Sequence, residues 1–183
     1  MDLTEKKIIS QEIFKGRVLH LVRDTVELPN GRITTREVAR HPGAVLVVPL
    51  TEDNEVVMVR QYRYPFQQVL LEVPAGKLDP GEAPEACARR ELSEETGVEA
   101  GKLMYLGEYL SSVAILDERI HMYLARDLIF REAHTDEGKF LTVERIPIQT
   151  LYDRLMAGEI RDGKTQTAIL KTWCLLQGAK TCK

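Results

Sequence analysis

The stretch Gly76–Val98, GKLDPGEAPEACARRELSEETGV, decides how this chain is read. Its first part is a turn, because Pro80-Gly81 favours a tight reversal. Pro84 suits the first turn of a helix, where the N–H that proline lacks would be unpaired anyway. Gly97 suits a left-handed C-terminal cap. The spacing therefore predicts a short helix between them. On that helix Glu91, Glu94 and Glu95 stand three and four residues apart, along one side. Like charges so placed repel by about 0.2–0.5 kcal/mol per pair, and carboxylates in a last turn oppose the helix dipole. Arg89 and Arg90 offset part of this, since Arg90 can pair with Glu94. Two readings stand side by side: a solvated acidic face, or a cluster neutralised by a divalent cation. Hard carboxylate oxygens suit Mg²⁺, which takes one or two carboxylates and completes its shell with waters and substrate phosphates.

Outward from this stretch, residues 6–40 predict a β meander, with Asn30-Gly31 between β-rich runs as its hairpin signal. Ala44–Val48 and Val56–Val59 flank a turn at Glu52-Asp53-Asn54. Val69–Val73 is a short strand feeding the acidic helix, and Leu103–Tyr105, Ile120–Leu124 and Phe140–Ile146 follow it. Pro147 opens a helix carrying Leu151, Leu155 and Met156, and Asp162 N-caps a last helix with an Ile169, Trp173, Leu176 stripe. The fold class is α/β: a mixed sheet flanked by helices in a domain over 41–183, preceded by a small antiparallel β region over 1–40. Gly158–Thr165, GEIRDGKT, matches the phosphate-loop pattern G-x4-G-K-[ST], and Val113–Glu118 imitates the acidic strand that accompanies it. A phosphate loop needs a strand immediately before it, whereas 148–157 predicts helix. The segment is accordingly expected to be a tight connection between two helices.

With 183 residues, 44% hydrophobic and 29% charged, the chain can bury a core of its own. Its net charge of −3 offers no basic field for a nucleic acid backbone. The substrate expected is a small molecule, its phosphates held by a few placed arginines and a metal. Three cysteines without metal-ligand spacing fit reduced thiols in a cytoplasmic protein. MDLTEKKIISQ is too polar for a signal peptide, and no apolar run approaches the ~20 residues of a membrane span.

Gly76, Glu82, Arg90, Glu91, Leu92, Glu94, Glu95, Gly97 and Val98 fill every fixed position of G-x5-E-x7-R-E-U-x-E-E-x-G-U, where U is a bulky aliphatic residue. In this the chain resembles the Nudix hydrolases. Arg60-Gln61-Tyr62-Arg63-Tyr64-Pro65 and Leu71-Glu72-Val73-Pro74-Ala75-Gly76 are similar to segments of the ADP-ribose pyrophosphatases within that group. The resemblance implies a Nudix α/β/α sandwich and a homodimer that exchanges N-terminal sheets. It implies Mg²⁺, with Mn²⁺ as the alternative ion, held by Glu91, Glu95, Glu94 and the Ala75 carbonyl. Glu82 and Arg90 would hold the loop–helix geometry, and Arg63 a diphosphate oxygen, which bidentate guanidinium pairing suits. Arg36, Glu37 and Arg40 resemble the N-terminal strand that contacts the nucleotide.

Two segments depart from the subgroup pattern. Ser111–Leu116 lacks the Pro-Gly turn found there. Lys139 occupies the place expected for a catalytic glutamate, a role open to Glu137 or to a signature glutamate. The implied activity is Mg²⁺-dependent hydrolysis of a nucleoside diphosphate derivative, ADP-ribose first, to AMP and ribose 5-phosphate. The alternatives are a broader nucleoside-diphosphate-sugar pyrophosphatase and a catalytically weak ADP-ribose-binding module.

Overall fold

The computed structural model describes residues 2–131 and 140–181, the side chains of 179–181 excepted. The chain forms two compact units, one of Met1–Pro42 with Leu110–Arg119, the other of Gly43–Tyr109 with Ile120–Lys183.

In the first unit, β1 (Lys6–Lys15), β2 (His20–Glu27) and β3 (Ile33–Arg40) form an antiparallel sheet in the order β1-β2-β3. The expected Asn30-Gly31 reversal joins β2 to β3. Gly31 takes φ +80° there, and its N–H donates to the Leu28 carbonyl at 2.8 Å. Along β2, Val22, Asp24 and Val26 are buried in alternation, while β1 is exposed over its whole length. The segment between Leu110 and Arg119 is a loop, not the acidic strand its sequence imitates, and a turn at Ser112–Leu116 closes it. Leu116 bridges to Ala39.

The second unit carries two sheets. One runs β7 (Ala75–Lys77), β4 (Ala44–Pro49), β9 (Arg119–Phe130), β8 (Val98–Leu110), and is mixed because β4 and β9 run parallel. The other is antiparallel, β10 (Leu141–Pro147), β5 (Glu55–Arg63), β6 (Gln68–Glu72). Every residue of β4 is buried, as for a strand covered on both faces. Val45 and Val47 pack with Cys87, Ala88 and Leu92 of α1 (Pro84–Thr96). Leu46 and Val48 pack with Ile148 and Leu151 of α2 (Ile148–Met156) and Ala168 and Ile169 of α3 (Gly163–Thr181). This is the α/β/α sandwich. Met156 departs from the expected apolar stripe and is 64% exposed, as the last residue of α2. No helix among the described residues is long and apolar enough to cross a membrane.

Candidate active site

The acidic helix begins and ends where its sequence places it. Pro84 lies in the first turn, and Gly97 caps the last with φ +68°, its N–H on the Ser93 carbonyl at 2.8 Å. The solvated-face reading fails. Glu91 is 4% and Glu95 3% exposed, and only Glu94 is partly open. Buried carboxylates need partners: Glu91 has Arg90 on its own helix, and Glu95 has the strand beneath. Gly76 on β7 lies directly under Glu91: a Cβ there would stand 1.8 Å from Glu91 Cδ. The Ala75 N–H donates to Glu95 Oε2 at 3.2 Å.

Arg90 joins the loop to the helix. Its Nε and Nη2 donate to the two Glu82 oxygens, each at 2.8 Å. Its Nη1 donates to Glu91 Oε1 at 2.7 Å and Glu94 Oε2 at 3.3 Å, and Nη2 also reaches the Lys77 carbonyl at 3.1 Å. The Arg90 fork, with the Asp79 N–H, draws the Glu82 carboxyl down to about 2. In return Glu82 raises Arg90. Burial, with a contribution from Glu82, pushes the Cys87 thiol up to about 12, so this cysteine acts as a small apolar filler under Arg90. Arg89 does not serve the acidic cluster. It pairs with Glu85 and the Ala100 carbonyl instead, because its place on the helix turns it toward β8. Arg90 thus serves three signature carboxylates, Glu82, Glu91 and Glu94, while Glu95 takes the Ala75 N–H.

Arg63, the last residue of β5, faces Gln68 across the hairpin, and Glu72 lies two same-face pairs along β6. Arg63 Nε and Nη2 donate to Glu72 Oε1 and Oε2, each at 2.6 Å. Glu72 raises the guanidinium, and the fields of Asp162 and Glu95 add to this, so Arg63 lies within electrostatic reach of the acidic helix. Burial alone would raise the Glu72 carboxyl, but Arg63 and Lys164 outweigh it and hold it low.

Three other sequence candidates belong to the first unit. Arg36 pairs with Glu5 at 2.6 Å and Glu37 with Arg23 at 3.2 Å, both within the first unit. Arg40 bridges Asp24 and Asp117, each at 2.9 Å, tying the 111–118 loop to β3. Glu137 and Lys139 fall outside the described residues. Among the described residues, no group of three or more His, Cys, Asp or Glu side chains is gathered as a metal cage.

Sequence reasoning missed Glu72 and Lys164. A glutamate inside the apolar run Val69–Val73 was the available signal for the first, since a buried charge must be paired. Nothing local pointed to the second, 92 residues away.

Comparison with known proteins agrees with this geometry. Residues 40–169 match the family model described as NUDIX domain, and residues 5–39 that of the nucleoside diphosphate sugar hydrolase N-terminal domain. The chain is 42% identical over 167 residues to a methanol dehydrogenase activator of Bacillus methanolicus, covering 90% of each. It is 40% identical over 169 residues to an ADP-ribose pyrophosphatase of Bacillus subtilis, covering 91% of each. A crystal structure of an ADP compounds hydrolase superposes with a TM-score of 0.87 at 24% identity, covering 98% of each chain, and shares the fold. With its signature helix, its sandwich and a family match over most of its length, the chain belongs to the Nudix family.

Proposed function

We propose that the chain hydrolyses a nucleoside diphosphate linked to a second moiety, with ADP-ribose as the favoured substrate and AMP and ribose 5-phosphate as products. The observation that carries this is the pair of buried carboxylates, Glu91 and Glu95, which the signature helix sets against the Gly76 and Ala75 backbone of β7. The donor set fits a hard divalent cation. Glu91 and Glu95, with Glu94 and the Ala75 carbonyl beside them, would hold Mg²⁺, or Mn²⁺ in its place. One or two carboxylates suffice where water and substrate oxygens complete the shell. Such an ion supplies charge neutralisation to the diphosphate and acidifies the attacking water.

The protein's own groups do the rest. Arg90 holds Glu82, Glu91 and Glu94 in register, so that repulsion does not splay the carboxylates. Gly76 leaves Glu91 the room it needs against β7. Arg63 offers the guanidinium edge not used on Glu72 to a phosphate oxygen. A carboxylate, Glu137 or a signature glutamate, takes the water's proton.

Residues 1–40 would supply dimerisation and nucleotide contact, through Arg36, Glu37 and Arg40. Support for a homodimer comes from the exposed β1, with Ile8, Ile9, Ile13 and Phe14 open to a partner. A monomer mass by light scattering would remove that part. The free thiols of Cys87 and Cys174 favour a cytoplasmic setting.

A screen of ADP-ribose, ADP-glucose, NADH and oxidised dGTP with Mg²⁺ tests the reaction, and no turnover of any of them would overturn it. ADP-glucose cleaved in preference to ADP-ribose would select the broader nucleoside-diphosphate-sugar reading, which the 111–116 loop without Pro-Gly favours. Glu95→Gln is expected to abolish metal-dependent hydrolysis with the fold intact, and retained activity would remove its assignment as a ligand.

A further inference from the structure

Gly158–Thr165 carries a phosphate-loop pattern but connects α2 to α3, and nothing in the proposed reaction uses it. Its lysine is nonetheless committed. Lys164 Nζ donates to Glu72 Oε2 at 2.6 Å and to Asp162 Oδ2 at 2.8 Å. Glu72, 1% exposed, is the same carboxylate that receives the Arg63 fork. We infer that Lys164 is a positioning residue, which shares the Glu72 carboxylate and so keeps Arg63 oriented toward a substrate phosphate. This rests on the reading of Arg63 as a diphosphate holder.

The physical chain is short. A guanidinium forked onto one buried carboxylate is a neutral pair, and its attraction for a further anion is largely cancelled by the carboxylate beside it. A second cation on that carboxylate changes the balance. Lys164 takes up charge on Glu72, so the pair presents Arg63 rather than its counterion. Asp162 would undo this if its own charge were unmet, but it is the N-cap of α3 and accepts the Thr165 N–H at 3.0 Å. A helix N-terminus stabilises a carboxylate there.

Thr165 fixes the geometry. It is fully buried, and its Oγ1 accepts the Val73 N–H at 3.1 Å, pinning the first turn of α3 to the residue after Glu72. The ammonium is thereby placed with little freedom to drift. Arg63 keeps Nη1 unused among the described residues and points its open edge away from Glu72. Remove the ammonium, and among the described residues Glu72 Oε2 keeps Arg63 as its only cation. The guanidinium must then serve the buried carboxylate more fully, at the expense of the ligand.

The test measures KM and kcat with ADP-ribose and Mg²⁺, the calorimetric Kd of ADP, and Tm. It compares wild type, Lys164→Met, Lys164→Arg and Lys164→Gln, in the native background and with Arg63→Ala. Lys164→Met is expected to raise KM and the ADP Kd about tenfold, the scale of one charge-assisted contact, with a smaller change in kcat. Lys164→Arg should restore most of the loss. With Arg63→Ala already present, Lys164→Met should change neither constant further, which is the signature of coupled residues. If Lys164→Met does not fold, Lys164→Gln, which keeps a hydrogen-bond donor and loses the charge, should shift both constants the same way. A fall in Tm with KM and Kd unchanged would overturn the inference, as would an equal effect with and without Arg63. If wild type turns over ADP-ribose while these constants stay put, the inference alone falls. If wild type neither cleaves any nucleoside diphosphate derivative nor binds ADP, the reading of the site falls with it.

Discussion

Alanine at position 76 would place a methyl carbon 1.8 Å from Glu91 Cδ and 2.0 and 2.2 Å from its two oxygens. No such contact can persist, so the carboxylate must swing off β7. Because the clashing atoms are the far end of a flexible side chain, the overpacking cost itself is small. What is lost is the bond from Arg90 Nη1 to Glu91 at 2.7 Å, a charge-assisted hydrogen bond of about 1.5–3 kcal/mol. The stiffer unfolded chain returns about 0.4–1 kcal/mol, leaving a net destabilisation of about 0.5–2.6 kcal/mol. For a chain of this length that lowers Tm by about 1–10 °C. Function should suffer more than stability, since displacing a residue that orients a metal site weakens metal affinity about 10–100-fold. Scanning calorimetry and initial rates against Mg²⁺ concentration give both numbers. A Gly76→Ala protein with wild-type half-saturation by Mg²⁺ would refute the proposed contact between glycine and carboxylate as a determinant of the site.

Two further outcomes follow from particular contacts. Glu82 titrates at about 2 in the folded chain against an ordinary 4.5, so its contribution to stability is complete above 4.5 and is lost as pH falls toward 2. The gap in urea midpoint between wild type and Glu82→Gln should therefore be full at pH 7 and narrow below pH 4.5. A gap that stays constant down to pH 3 would contradict the Arg90 pairing. Thr165→Val leaves the buried Val73 N–H without its acceptor and should cost about 1–3 kcal/mol in denaturant unfolding; an unchanged midpoint would show that α3 is not stapled to β6.

Local chemistry made much of this molecule legible. The Pro84 and Gly97 boundaries, the Asn30-Gly31 reversal and the Asp162 cap each depend on one residue's backbone or side-chain preference, and each stands where that preference puts it. The Glu82–Arg90 pair was implied by the family resemblance, which has those two residues hold the loop against the helix. Strand length was harder. Only Leu103–Tyr105 of β8 was apparent, because Gly101 and Gly107 interrupt the β-rich pattern. Gly101 stays in the strand because a Cβ there would meet Asp127 Cβ at 2.8 Å, a close approach between neighbours.

Long-range pairs left no local trace. Asp117 meets Arg40 across 77 residues and Lys164 meets Glu72 across 92. Both lysine and threonine of the apparent phosphate loop are used in folding the second unit, which explains why a motif can match in sequence and carry different work in space. The burial of Glu91 and Glu95 was the decisive point that periodicity left open, because spacing places side chains on one face without saying what covers that face.

The most direct measurement is Mn²⁺ binding, followed by electron paramagnetic resonance, in wild type and in a Glu91→Gln/Glu95→Gln double variant that keeps a cooperative thermal transition. If these two buried carboxylates hold the cation, wild type binds the ion and the double variant loses that binding together with diphosphate hydrolysis. Equal Mn²⁺ affinity in the two proteins would place the ion elsewhere and contradict the reading of the acidic helix.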